Sequence, residues 1–227
     1  DNFNDDISSW NVSNVTNMIE MFRYAENFNG DISNWEISNV TNMSDMFYAA
    51  SSFNQDISIW DISNVTEMGG MFQFSHSFNS DISSWDVSNI TNMYQIFYSA
   101  SSFNQDISGW NVSSVTDMRG MFKNASSFNQ DISSWDVSGA TFYENGVLVA
   151  MDYMFDGADA LSDENRCAID TSFSSNDAWP YDWSEFCEEE DVVVDIDGNI
   201  YGIVEIGDQV WMDRNLIVTH FNNGEEI

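Results

Sequence analysis

Phe3-Asn4-Asp5-Asp6-Ile7-Ser8-Ser9-Trp10-Asn11-Val12-Ser13-Asn14-Val15-Thr16-Asn17-Met18-Ile19-Glu20-Met21-Phe22-Arg23-Tyr24-Ala25-Glu26-Asn27 is one copy of a repeat. Its recurrence decides how the chain is read. Phe3, Phe28, Phe53, Phe78, Phe103 and Phe128 fall at a strict spacing of 25, and each is followed by asparagine, from Asn4 to Asn129. Columns of Asp (Asp6 to Asp131), Ile, Ser and Trp (Trp10 to Trp135) keep the same step. The last copy departs after Thr141. There nine residues, Phe142 to Ala150, precede Met151 where the other copies have one. About eight residues are therefore inserted, as a loop or short hairpin holding the turn signal Asn145-Gly146.

Each copy carries two hydrophobic patterns. In Ile7 to Ser13, Trp10 and Val12 alternate with polar residues, the period of a short half-buried strand. In Thr16 to Ala25 the apolar residues sit at i, i+3, i+4 and i+7, one face of a short helix for which Thr16 is the expected N-cap. A two-turn helix is too short to stand alone, so the copies are expected to stack. The predicted fold class is α/β: a solenoid of strand–helix coils over residues 1–160, with a parallel sheet on one side and helices on the other. Eleven of the twelve methionines, Met18 to Met154, fall in the helix slots. Such a stripe can line a groove or a soft-metal site, but between phenylalanine columns it reads as core.

Composition narrows the function classes. The 227 residues hold 5 Lys+Arg against 38 Asp+Glu, a net charge of −33. Polyanionic partners, nucleic acid and anionic membrane alike, are thereby excluded. Hydrophobic content of 43% argues against disorder. No apolar run is long enough to span a bilayer. The chain opens inside a repeat with no signal peptide, and so reads as a processed or excised piece. Residues 1–142 carry 17 acids and 3 bases, and residues 143–227 carry 21 acids and 2 bases, so the acidity is densest at the C-terminal end.

Residues 161–190 break the period. Leu161 takes the place of the next phenylalanine, and Trp179, Pro180, Tyr181 and Trp183 follow. The exposed apolar end of a repeat stack needs a cover, and this segment is the expected cap. Cys167 and Cys187 read as a disulfide closing about 20 residues, with a reactive thiol pair or a metal site as the alternative. A disulfide fits an oxidising, extracellular setting. Glu188 to Asp191 form an acidic hinge. From residue 191 to 227 the pattern is β, with turns at Asp197-Gly198 and Gly207-Asp208 between apolar runs.

The phrase D-I-S-x-W-[DN]-V-S-[NS]-V-T-x-M-x-x-M-F-x-x-A resembles the 25/26-residue repeat of bacterial surface proteins of the BspA type, a leucine-rich-repeat-like family. The resemblance covers about residues 1–160. It implies a secreted or cell-surface protein linked to adhesion, with no enzyme activity and no named ligand. The stretch from Val194 through Asp197-Gly198, Ile200-Tyr201, Gly207-Asp208 and Val210-Trp211 to Asn215-Leu216 is similar to the opening of the Fibrobacter succinogenes major paralogous domain. That resemblance implies an incomplete β domain at 191–227.

Enzyme chemistry finds little support. Neither His76 nor His220 lies at a spacing that pairs it with a Ser or Cys nucleophile and an acid. No carboxylate pair stands out, and no phosphate-binding glycine loop is present. Calcium is the stronger chemical candidate, although no cofactor is required. Asp6, Asp31, Asp56, Asp81, Asp106 and Asp131 form one carboxylate column, and a hard cation would relieve their repulsion. The competing reading makes them turn residues accepting backbone N–H groups. Asp195 and Asp197 resemble the start of a calcium loop that lacks its final glutamate. Glycosylation sequons occur at Asn11, Asn14, Asn39, Asn42, Asn64, Asn89, Asn111 and Asn124. The threonine column from Thr16 to Thr141 has the regularity of an ice-binding ladder, which helix capping explains equally.

Two functional expectations follow. The first is a secreted, non-enzymatic binding or adhesion module whose strand face offers Ser9, Asn11, Ser13, Glu36, Asp61, Asp86, Asn111 and Asp136 to a glycan or protein surface. The second is a structural subunit of a head-to-tail filament, in which copies of the chain meet through the first coil and the C-terminal β segment.

Overall fold

The computed structural model describes residues 3–141, 150–187, 192–194, 199–206 and 209–212. It contains two compact bodies, Asp1–Ser184 and Glu185–Ile227. The inserted residues 142–149, the acidic run 188–191, Asp195, Asp197, Asn215, Leu216 and His220 lie outside the described residues.

The expected α/β solenoid of strand–helix coils is corrected. Among the described residues of the repeats there is neither a helix nor a strand; each copy is a chain of tight turns. Where a strand was predicted, Trp10 N–H donates to Ile7 carbonyl (3.0 Å) and Val15 N–H to Val12 carbonyl (2.8 Å), closing two turns. The parallel sheet is reduced to isolated one-residue bridges, Asn17↔Asn42, Asn42↔Glu67, Glu67↔Asn92 and Asn92↔Asp117.

Where a helix was predicted, the backbone divides its hydrogen bonds. The N–H groups of Met21, Arg23 and Ala25 donate three residues back, to Met18, Glu20 and Phe22. Those of Met18, Glu20, Phe22 and Tyr24 donate to Asn42, Ser44, Met46 and Tyr48 in the next repeat. Ile19 N–H is taken by Asn17 Oδ1. Every N–H from 18 to 25 thus has a partner, and none uses the i→i−4 bond of an α-helix. The backbone achieves this with left-handed residues at two positions per repeat: Glu20 and Tyr24, Asp45 and Ala49, Gly70 and Phe74, Gln95 and Ser99, Gly120 and Asn124. A positive φ costs a non-glycine residue roughly 1–2 kcal/mol, and each is held by an interrepeat bond. Thr16 is accordingly no N-cap. Thr41 N–H and Oγ1 both donate to Thr16 carbonyl (2.9 and 3.2 Å), and the pattern repeats up the column.

Apolar side chains stack in the same register. Rings of the Phe28 column lie 6.0–6.2 Å apart between repeats, from Phe28 to Phe128. The Phe22 column interleaves with it at 3.7–4.1 Å, each ring lying against the phenylalanine that opens the following copy. Ten of the eleven repeat methionines are buried, Met21 being the exception. The methionine stripe is core. Trp35 to Trp135 are buried, and each indole N–H donates to an isoleucine carbonyl 28 residues earlier, as Trp85 does to Ile57. Asparagines make a further ladder: Asn29 N–H donates to Asn4 Oδ1, and the step recurs through Asn129.

The stack ends in a cap that substitutes side chains for the missing backbone. α1 (Asp163–Phe173) begins at Ser162, whose side chain accepts from Asn165 N–H as an N-cap should. Tyr181 Oη accepts from Phe155 N–H (2.9 Å), the role that the Met46 carbonyl plays for Phe22. Ser172 Oγ donates to Ser133 carbonyl, and Asn176 Nδ2 to Val137 carbonyl. Buried Asp170 anchors the lid by accepting from Trp179 Nε1 (2.8 Å) and Trp183 N–H (3.3 Å). Trp179, Tyr181 and Trp183 pack around Phe155. Cys167 and Cys187 are disulfide-bonded, and no cysteine is free. The second body holds an antiparallel sheet in the order β1 (Val192–Val194), β2 (Ile200–Ile206), β3 (Gln209–Met212).

This hydrogen-bond pattern makes specific demands. Far-UV circular dichroism should lack a dominant helical double minimum, because α1 is the only α-helix among the described residues; a strongly helical spectrum would contradict the fold. In denaturant titration Asn79→Ala, which orphans Asn104 N–H, should cost about 1–3 kcal/mol. Tyr181→Phe should cost a similar amount by orphaning Phe155 N–H, with Phe78→Ala larger at about 3–5 kcal/mol. Costs below about 0.5 kcal/mol for both Asn79→Ala and Tyr181→Phe would mean the side-chain ladders carry no special weight.

Candidate binding face

Five of the six repeats present the phrase [DN]-[VI]-S twice, five residues apart, and both copies fold into the same small device. Asp6 Oδ1 accepts from Ser8 N–H (3.0 Å) and Ser8 Oγ (2.7 Å). Asn11 Oδ1 accepts from Ser13 N–H (3.1 Å) and Ser13 Oγ (2.7 Å). These are Asx-turns, in which a short side chain mimics a backbone carbonyl. Asp31, Asp56, Asp81, Asp106 and Asp131 each accept the N–H of the serine two residues on. So do Asp61, Asp86, Asn111 and Asp136. Glu36, one methylene longer, is the exception.

The result is two parallel columns of exposed, oriented side chains on one face. Asp6, Asp31, Asp56, Asp81, Asp106 and Asp131 are exposed, as are Ser9, Asn11, Glu36, Asp61, Asp86, Asn111 and Asp136; Ser13 is half-buried. The serine donors hold Asp6, Asp31, Asp56, Asp61, Asp81, Asp86, Asp106 and Asp136 below the usual carboxylate range. Their columnar neighbours oppose this: Asp6 and Asp56 push Asp31 up, and Asp86 pushes Asp61 up. The hydrogen bonds win, so these groups are charged at neutral pH.

No base interrupts residues 5–14 of any repeat. The three bases of residues 1–142 lie on the other half of the repeat, against aromatic rings and acids. Arg23 sits over Tyr48 (4.6 Å) and pairs with Glu20 and Asp45. Arg119 sits over Tyr94 (5.0 Å) and pairs with Asp117. Lys123 sits over Tyr153 (4.5 Å), near Asp156. Between repeats two and three the acidic face dips into a groove of about 380 Å³ bordered by Glu36, Asp61 and Ile59. Ile59 is 73% exposed at a position where the other repeats carry Ser, Asn or Gly. The sequence reading did not single it out, although that substitution was the available signal.

Among the described residues no group of three or more His, Cys, Asp or Glu side chains is placed to hold a metal ion. Asp195 and Asp197 lie outside the described residues. Three sequon amides have structural partners: Asn39, Asn64 and Asn89 donate Nδ2 to the carbonyls of Ser13, Ser38 and Ser63 (2.8 Å each). Asn42 Oδ1 accepts from Ser44 N–H. Asn14 is exposed, and Asn124, exposed as well, has a left-handed backbone. His76 Nδ1 is hydrogen-bonded to the Ser99 carbonyl (2.9 Å). No helix among the described residues is long and apolar enough to cross a membrane.

A stack of near-identical turn-built repeats with a face of Asp, Asn and Ser side chains places the chain among repeat proteins. It belongs to the family described as Mycoplasma protein of unknown function, DUF285, which matches residues 1–79 and 55–166. The two overlapping matches are what a run of equivalent repeats produces. No curated protein and no solved structure matches the chain significantly.

The carboxylate columns fix a pH response. Folded values held below the unfolded value contribute stability above the unfolded carboxylate pKa, about 3.9, and lose it as pH falls through the folded values. Relief of self-repulsion acts in the other direction as the net charge shrinks. The melting temperature should therefore rise modestly from about pH 7 to about 5 and fall steeply below about 4. A rise continuing to about pH 3 would show that the serine-clamped carboxylates contribute nothing.

Proposed function

We propose that this chain is a non-enzymatic binding or adhesion module, secreted or displayed on a cell surface, whose Asp/Asn/Ser face recognises a protein or glycan. The observation that carries the reading is the paired columns of charged, pre-oriented side chains on a face without a single base. A rigid, one-signed lattice favours a partner of opposite charge and speeds its approach. Asx-turns hold each carboxylate before any partner arrives, so little ordering cost remains at binding. This favours a basic protein surface over a neutral glycan. The resemblance to BspA-type surface repeats, the similarity of the tail to the Fibrobacter succinogenes major paralogous domain, and the disulfide all agree with an extracellular location.

The face can be tested without disturbing the turns, because Asn already serves at positions 11 and 111. Asp61→Asn with Asp86→Asn removes two charges and retains both Ser N–H acceptors. Against a glycan array and a panel of basic, neutral and acidic test proteins, the native chain should bind basic proteins in a salt-dependent way. The double variant should bind them at least fivefold more weakly at unchanged melting temperature. Binding that ignores both salt and the substitutions would overturn the assignment of this face. Ordered fibres of the purified chain in electron micrographs would instead make it a filament subunit.

A further inference from the structure

A perfect repeat presents the same surface at every step, so a distinct site needs a break in the step. One break lies beside the cap. Each tryptophan from Trp35 to Trp135 reaches back to an isoleucine carbonyl of the preceding repeat, and Trp110 and Trp135 stack at 6.4 Å. Counting past the eight inserted residues, the next member of the column is Ala168, already inside α1. The space that a further repeat would fill beyond Trp135 is left as a groove of about 470 Å³ between the last repeat and the end of the cap.

The groove has an apolar floor from Trp135, Val137 and Ala140 and carries two carboxylates, Asp136 and Asp177. Its amide and one hydroxyl donor are already committed. Asn176 Nδ2 donates to the carbonyls of Val137 (2.7 Å) and Ala140 (3.3 Å), and its Oδ1 accepts from Ala178 N–H. Ser172 Oγ donates to Ser133 carbonyl (2.6 Å). Asp136 Oδ1 accepts from Ser138 N–H, and the Ser138 hydroxyl also bonds the carboxylate, which stays charged. The groove therefore offers two carboxylates and the hydroxyls of Thr141 and Ser175 over an apolar surface, with no base among its described lining residues. A long side chain with an aliphatic stem and a cationic, donor-only head needs what is present here.

We propose that this groove is a docking site for a single lysine or arginine side chain of a basic protein segment, the stem lying on Trp135 and Val137 and the head between Asp136 and Asp177. The inference rests on the reading of the chain as a binding module and places a unique anchor at the end of its repetitive face. The anchor fixes where along the columns a partner lies.

The test uses N-acetyl-Ala-Arg-Ala-amide, its lysine counterpart and its uncharged citrulline counterpart, titrated into the full chain and followed by amide chemical shifts. The arginine and lysine peptides should move the amides of residues 136–141 and 172–177, with the citrulline peptide at least tenfold weaker. Asp136→Asn with Asp177→Asn should weaken arginine binding at least tenfold, and Ser175→Trp, which fills the groove, should abolish it. Asp61→Asn with Asp86→Asn should change it less than twofold. Shifts spread evenly along residues 6–131, equal binding of the citrulline peptide, or binding that survives Ser175→Trp would each overturn the proposal. Loss of basic-protein binding in the face variant alongside a silent groove sinks the groove and leaves the module reading intact; the converse result sinks the face and keeps the groove.

Discussion

Everything in the repeat stack depends on how one stretch of backbone divides its hydrogen bonds. Between Met18 and Ala25, alternate N–H groups turn inward to close local turns and outward to reach the next repeat. An α-helix would satisfy the same groups within one copy and leave nothing to join copies together. Here the joining is done by the backbone, and the cost is two left-handed residues, four apart, in each repeat. Side chains then follow. Because the backbones are in register, like falls on like, and phenylalanine, methionine, tryptophan and asparagine columns form without further instruction.

The same economy appears at the end of the stack. A further repeat would bring carbonyls and amides to the last copy; the cap brings a phenol, a serine hydroxyl and an asparagine amide instead. Replacing backbone partners by side chains closes the hydrogen-bond pattern while refusing the next copy. The substitution is incomplete beside Trp135, and that incompleteness is the groove. Termination and the one non-repeating feature of the surface thus have a common origin.

The repeat, its core columns, the cap and the disulfide were legible in the sequence because each rests on spacing or residue type alone. The secondary structure was not. Met18, Met21, Phe22 and Ala25 fit a helical period, but a period of i, i+3, i+4, i+7 also describes successive three-residue turns whose side chains share one interior. The discriminating signal was Gly70 and Gly120, which stand at the same column inside the supposed helix and have positive φ. At the strand, Asp and Ser two residues apart occur twice per repeat, and that pairing prefers a turn over an extended ladder. The acidic face was visible as columns of aspartate; what the sequence could not show was that, Glu36 apart, each of these side chains accepts the N–H of the serine two residues on. Ile59 and the groove beside the cap were missed because both are departures from the period, and the period commanded the reading.

The interrepeat bonds also quantise the length of the chain. A donor at one position finds its acceptor 24 residues on, so gaining or losing 25 residues changes the number of layers and breaks no bond, whereas any other change shifts every later donor off its acceptor. The stack can therefore grow or shrink in whole steps of one repeat while every remaining layer keeps its partners. One exception shows the rule's limit: Met118 donates to Ala150 across 32 residues, and Gly120 to Asp152, so eight extra residues leave the register intact when they enter at a single point and both flanks return to their places. New sequence can be admitted there without disturbing the layers on either side.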